Sequence, residues 1–341
     1  MMTPDEIARC ETCRFTPLDG KLPNLALMRL AAWERECGND VRWQFGIARQ
    51  FGEPDYERVY ASAIFATSAK AVALFRQQWP GAIVGGSGGD AALRVGDIVP
   101  SQFTGLDYSG YPEFDASIGY AMRGCRFKCG FCVVPKQEGA ARAERSIAQI
   151  WRGEGYPKNL HLLDNDFFGN PEWRELVAEI RDGNFKVCIN QGINVRLIDD
   201  EQAEAIASIR YKDDQFKRPR LYTAWDNIGD EAVFFAGVDR LEKAGVKPDH
   251  IMTYMLVGYD RRETWERLQY RFSRMVDRGL RPYPMVHDKA RHADEAHWLR
   301  LKRFQRWAIT GAHKVVPFSQ YSTRSRPEAI SLFQEQNNAD V

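Results

Sequence analysis

Thirteen residues, RGCRFKCGFCVVP over Arg123 to Pro135, place Cys125, Cys129 and Cys132 in C-x3-C-x2-C spacing. Three thiolates on one short, glycine-containing loop can converge on one inorganic centre. Structural zinc takes four closed ligands, commonly as two separated pairs, and no second pair follows here at zinc-ribbon spacing. Soft thiolates also suit iron–sulfur clusters, and a four-iron cube asks for one ligand per iron. Three cysteines then leave one iron open to a small molecule that chelates it through an amine and a carboxylate.

Four further cysteines complete the set of seven. Cys10 and Cys13 form a C-x-x-C pair and Cys37 follows, so a second cluster, a redox or metal-binding pair, and plain thiols are all open readings. Cys188 lies inside an apolar run and reads as core.

The elements that must hold these groups fall into two stretches. From residue 20 to 110, NLALMRLAAWEREC and Ser68 to Trp79 read as helices, alternating with strand candidates at Val41–Phe45, Arg58–Phe65 and Ala82–Gly86. That alternation predicts an open, Rossmann-like parallel sheet. After Pro112, apolar runs at Asn159–Leu163, Lys186–Ile189, Arg220–Thr223, His250–Val257 and Pro284–Val286 each end in polar residues. Between them lie WRELVAEIRDG, DDEQAEAIASI, DEAVFFAGVDRLEKAG and RRETWERLQYRFSRMVDRG, which read as amphipathic helices. Repeated strand then helix predicts a partial (β/α) barrel, in which chemistry collects at the C-terminal ends of the strands. The expected domains are 1–112, 113–320 and a polar tail, 321–341.

With Phe131 just before its last cysteine, the loop resembles the signature of radical S-adenosylmethionine (SAM) enzymes. The resemblance implies a [4Fe-4S] cluster on Cys125, Cys129 and Cys132 and SAM chelated at the open iron. It also implies reductive cleavage of SAM to a 5′-deoxyadenosyl radical that abstracts hydrogen from substrate. The radical is carried by SAM, so no catalytic side chain is implied; a reductant protein of flavodoxin or ferredoxin type is implied as partner. SAM contacts are expected at Phe131 and at strand ends. Asp164, Asn165 and Asp166 in LLDNDFFGN would serve the amino group, although the glycine pair that many members carry there is absent. Asn190, Gln191 and Arg196 would serve the ribose and carboxylate, an arginine matching a carboxylate bidentately. Asp226 in LYTAWDN and Gly258 in YMLVGYD complete the expected set. His287 and Asp288 stand at the last strand end without an assigned role. The front αβ stretch resembles the cobalamin-binding-like domain that precedes the barrel in a subset of these enzymes, and its AIVGGSGG is similar to their Gly-Gly turn. The Asp-x-His-x-x-Gly motif that ligates cobalt in many of them is missing, and residues 1–112 hold no histidine. Cobalamin is therefore not the favoured cofactor. The alternative class is a non-enzymatic metal protein, an iron–sulfur electron carrier or a zinc-stabilised binding module.

Composition sets the frame. A chain of 341 residues that is 44% hydrophobic and 27% charged is an ordinary globular one with room for two domains. It has no uncharged apolar run long enough for a bilayer and no secretory h-region at its start, so no membrane partner and a cytoplasmic location are expected. The formal charge is +1, yet residues 261–341 hold 16 Lys and Arg against nine Asp and Glu. A net +7 in that segment points to a nucleotide or nucleic acid as substrate, with solvated basic helices as the plainer reading.

Overall fold

Four parallel strands build the first of two units into which the chain divides, Met1–Ile118 and Gly119–Val341. A computed structural model describes residues 10–287 and 294–322. In chain order the first unit runs β1 (Thr12–Pro17), α1 (Leu25–Glu36), β2 (Asp40–Trp43), β3 (Arg58–Ser62), α2 (Ala69–Gln78) and β4 (Ile83–Gly85), with sheet order β2-β1-β3-β4. Helix α1 begins where the Asn24 side chain accepts the Leu27 amide hydrogen, which satisfies one of the unpaired N–H groups of the first turn. Alternation along the strands then divides the core between the two faces of the sheet. Cys13, Phe15 and Tyr60 pack with Leu27, Leu30 and Ala31 of α1, while Ala61 and Val84 pack with Val72 and Phe75 of α2. Burial on both faces is what an all-parallel sheet needs.

Strand β1, central in this sheet, is absent from the sequence expectations. Its TCRFTP carries a charge, and Arg14 is fully buried because Glu53 pairs with it at 3.2 Å and the Trp79 ring lies 4.8 Å beneath its guanidinium. Cys13 is an interior residue of this strand.

The second unit opens at Gly119, the last residue of β5 (Ser117–Gly119). It continues with β6 (Met122–Arg123), α3 (Val134–Gln137), β7 (Arg142–Ala143), α4 (Ile147–Ile150), β8 (Asn159–Leu162), α5 (Trp173–Asp182), β9 (Lys186–Ile189), α6 (Asp200–Ala207) and β10 (Arg210–Tyr211). Then come β11 (Leu221–Ala224), α7 (Glu231–Lys243), β12 (Ile251–Val257), α8 (Trp265–Asp277), β13 (Arg281–Val286) and α9 (Glu295–Ile309). One sheet has the order β10-β9-β8-β5 and another β11-β12-β13; β8, β9 and β10 run parallel, as do β11, β12 and β13. The segment after β9 bridges the two, the Ile193 amide donating to the Tyr222 carbonyl at 2.9 Å.

One face of these strands sits under helices. Leu160, Leu162, Val187, Ile189, Leu221, Ile251, Met255 and Val257 share a core with Leu176, Ile180, Ile206, Phe234, Leu241, Phe272, Met275 and Phe304. The residues between them, among them His161, Cys188, Tyr222, Tyr254 and Tyr283, point to the opposite face. The five strand runs and four helices expected after Pro112 are all present within a few residues of their expected bounds, whereas β5, β6, β7, β10, α3, α4 and α9 add to them. The chain is thus α/β with several parallel sheets. Among the described residues no helix is long and apolar enough to cross a membrane.

Candidate functional site

Strands β6 and β7 pair antiparallel, Met122 with Ala143 and Arg123 with Arg142, and so form the neck of the loop that carries the three cysteines. Within it the Phe127 amide points at Cys125 Sγ, 3.4 Å away, and the Cys132 amide donates to the Cys129 carbonyl at 2.9 Å. A second amide, that of Val134, is directed at the Cys132 sulfur. Burial pushes the Cys125 and Cys132 thiols above their ordinary value, against the pull of those N–H groups. All three thiols are free.

Two acids tie this loop down. Asp166, after β8, is fully buried and grips Arg126 with both oxygens, at 2.7 and 2.9 Å. Glu138, after α3, accepts from the Gly124 amide at 2.9 Å and from Asn165 Nδ2 at 3.2 Å, with Arg123 at 3.3 Å. A forked arginine–carboxylate pair fixes orientation as well as distance. Asp166 left without Arg126 would be an uncompensated buried charge.

The strand ends of the second unit meet this loop. After β9, Arg196 lies 4.6 Å over the Phe127 ring and pairs with Asp230 at 2.7 Å. After β11, Asp226 accepts the Leu256 amide at 2.8 Å, and its charge is felt by Cys132. Burial raises the Asp226 carboxyl above its ordinary value. Beneath it, buried Arg271 of α8 holds the carbonyls of Trp225 and Leu256 at 2.9 and 2.8 Å, which sets the backbone that carries Asp226. After β12, Gly258 has φ +78° and leads to Tyr259, whose ring meets Phe131 edge-on at 5.4 Å and His287 at 5.0 Å. Cysteine loop and strand ends therefore lie together at the C-terminal side of parallel strands.

The other expected residues have partners of their own. Asp164 is fully buried; its Oδ1 accepts from the Ala121 and Met122 amides at 2.8 and 3.2 Å, and burial pushes its pKa up to about 7. Asn190 takes the Cys188 thiol hydrogen at 2.6 Å and approaches His161 at 3.4 Å, while Gln191 is exposed. Trp225 is core, stacked on Phe234. Asp288 and the tail from residue 323 lie outside the described residues. Arg126, Phe127, Glu138, Tyr259 and Arg271 were not among the expected site residues. Arg126 and Phe127 were visible inside the cysteine motif, and nothing local marked the others.

Among the described residues no three or more His, Cys, Asp or Glu side chains are grouped to hold a metal ion. A cube makes a different demand from a single ion, since each thiolate takes its own iron at a separate corner. Three thiols on a tied loop, two of them faced by backbone N–H groups, have the chemistry for that. Hydrogen bonds to the sulfurs are one of the levers by which proteins tune such clusters.

In the front unit the glycines of the expected Gly-Gly turn serve the backbone. A Cβ at Gly86 or Gly88 would stand 2.3 Å from the Ala63 carbonyl oxygen or 2.1 Å from that of Phe65, so these glycines make room for the chain's own backbone. The cleft beside them, lined by Leu27, Leu30, Tyr60, Ser62 and Gly86 among others, is only about 50 Å³. Cys13 is also spoken for: it is fully buried, burial pushes its thiol up to about 12, and Cys10 is exposed. A thiol so hard to ionise is a poor redox partner.

Among the described residues, three of the 16 Lys and Arg of residues 261–341 pair with acids outside that segment. Arg274 pairs with Glu231, Arg278 with Asp239 and Glu242, and Arg281 with Asp249. No protein-family model matches the chain, and no curated protein matches it in sequence.

Proposed function

We propose that the chain is a radical SAM enzyme whose second unit is a partial (β/α) barrel. The observation that carries this reading is the meeting of the C-x3-C-x2-C loop with the C-terminal ends of the parallel strands, through Arg196 on the Phe127 ring and Tyr259 on the Phe131 ring. Strands β8, β9, β11, β12 and β13, each followed by a helix on one side, supply the β/α repeat that a barrel of this kind needs.

Cys125, Cys129 and Cys132 would hold a [4Fe-4S] cluster. With SAM bound, the cluster would supply the electron that opens SAM's carbon–sulfur bond, and the resulting 5′-deoxyadenosyl radical would take hydrogen from the substrate. The chain's own residues do the rest. Arg196, fixed between Asp230 and the Phe127 ring, presents a cation beside the loop that suits SAM's carboxylate. Asp226, Asn190 and the backbone at Gly258 line the strand ends where ribose and base would lie. Phe131, Tyr259 and His287 close one side of the loop with rings, which limits water at a site where a radical must not be quenched.

Anaerobic reconstitution with iron and sulfide tests this. A brown protein with about four irons per chain that converts SAM to 5′-deoxyadenosine under dithionite, with both properties lost in Cys129→Ala, is the expected result. A colourless zinc protein, or a brown one that leaves SAM intact, would overturn it.

A further inference from the structure

Asp166 was expected at the SAM amino group, yet its surroundings commit it elsewhere. Both of its oxygens are taken by the Arg126 guanidinium, and Oδ2 also lies 3.4 Å from the Arg126 amide. A carboxylate spent on a guanidinium fork has little left for an ammonium. Gly169 supplies a second, independent observation: a Cβ there would stand 2.4 Å from Asp166 Oδ2 and 3.1 Å from Arg126 Nε. The glycine three positions on thus leaves room for this pair and for nothing else. Arg126 follows Cys125 directly, so the fork fixes the backbone that carries the first thiol.

We propose that Asp166, with Arg126 and the space left by Gly169, is the positioning residue of the cysteine loop. It sets the three thiols before any cluster arrives and takes no part in holding SAM. The role in cluster assembly rests on the radical SAM reading; the ordering of the empty loop does not.

Full-length protein, stripped of metal with a chelator under anaerobic conditions, is treated with iodoacetamide, and alkylation of each cysteine is followed by peptide mass spectrometry. Asp166→Asn and Arg126→Gln should each speed alkylation of Cys125, Cys129 and Cys132 about threefold or more by loosening the loop locally, with the double variant no worse than either single one. Buried Cys13 and Cys188 serve as internal controls and should stay unreactive. Arg126→Lys keeps the charge but lacks the fork. It should loosen the loop as well while melting like the wild type, which separates the fork from mere folding. On addition of iron and sulfide, the variants should bind iron about tenfold more weakly, and chains that do load should bind SAM within about twofold of the wild type. Unchanged alkylation in Asp166→Asn or Arg126→Lys overturns the proposal, as does a tenfold loss of SAM affinity with alkylation and iron uptake intact. If the wild type takes up no iron, the radical SAM reading fails, and the alkylation rates still decide the clamp.

Discussion

Asp164 and Asp166 are two residues apart and both fully buried, yet their chemistry differs because only one has a cation. Asp166 has the Arg126 fork, whereas Asp164 has two backbone amides on Oδ1, and burial dominates its pKa. A carboxyl raised from 3.8 to about 7 keeps its proton in the folded chain over a range where the unfolded chain has released it. Its contribution to stability is therefore present at acid pH and lost as pH rises from about 4 through 7. Asp164→Asn keeps an acceptor for the two amides and removes the titration. The unfolding free energy of the wild type relative to this variant should fall across that window and level off above it, as urea titrations at a series of pH values would show; parallel curves would refute the assignment. Cys13 makes a second case, a thiol that burial keeps protonated. Cys13→Ser should destabilise the front unit by about 1–3 kcal/mol, the cost of an unpartnered buried hydroxyl, while iron uptake by the intact chain stays at the wild-type level. Loss of iron on that substitution would restore the second-cluster reading.

At the scale of elements, the loop is held at both ends by different means, the Arg126–Asp166 fork near its start and Glu138 near its close. Glu138→Ala removes acceptors for Gly124 and Asn165 and a counter-charge for Arg123, and it leaves the helices and the core untouched. Hydrogen exchange should accelerate across residues 122–143 by about tenfold and stay unchanged in α5 through α8; acceleration throughout the second unit would mean that Glu138 supports the whole fold. The cysteine triad was legible in the sequence because its three thiols lie within eight positions. The clamp was not, since Arg126 and Asp166 are forty apart and neither type is unusual in a loop. Strands after Pro112 were legible as apolar runs with polar ends. Strand β1 was not, because its central Arg14 breaks the run, and only the fold supplies the Glu53 that permits its burial. In α9 the apolar positions Leu301, Phe304, Trp307 and Ala308 do follow helical spacing, but they lie among four Lys and Arg that weight the segment toward charge.

At the scale of the whole molecule, charge carried the one expectation about substrate, and the ion pairs change its weight. A net +7 along residues 261–341 offsets the acids of that segment but none outside it. Three of its arginines, Arg274, Arg278 and Arg281, face acids outside it, Glu231, Asp239, Glu242 and Asp249. Affinity for a polyanion comes largely from counterions released as free cations neutralise phosphates, and an arginine already paired inside the protein releases few. Binding of a single-stranded RNA should therefore be weak, and log K should fall against log salt with a slope no steeper than about −2, the value for roughly three phosphate contacts on a single strand. Filter binding between about 50 and 200 mM salt measures that slope. Replacing Glu231, Asp239 and Glu242 together by Gln should steepen it, because Arg274 and Arg278 would then be unpaired on the surface. A wild-type slope near −5 would show that basic groups beyond these pairs form a true nucleic-acid track and would return a polymer to the head of the substrate classes. A shallow slope that steepens in the triple variant instead favours a small substrate, admitted to the strand ends beside the cysteine loop by shape and hydrogen bonding rather than by long-range charge.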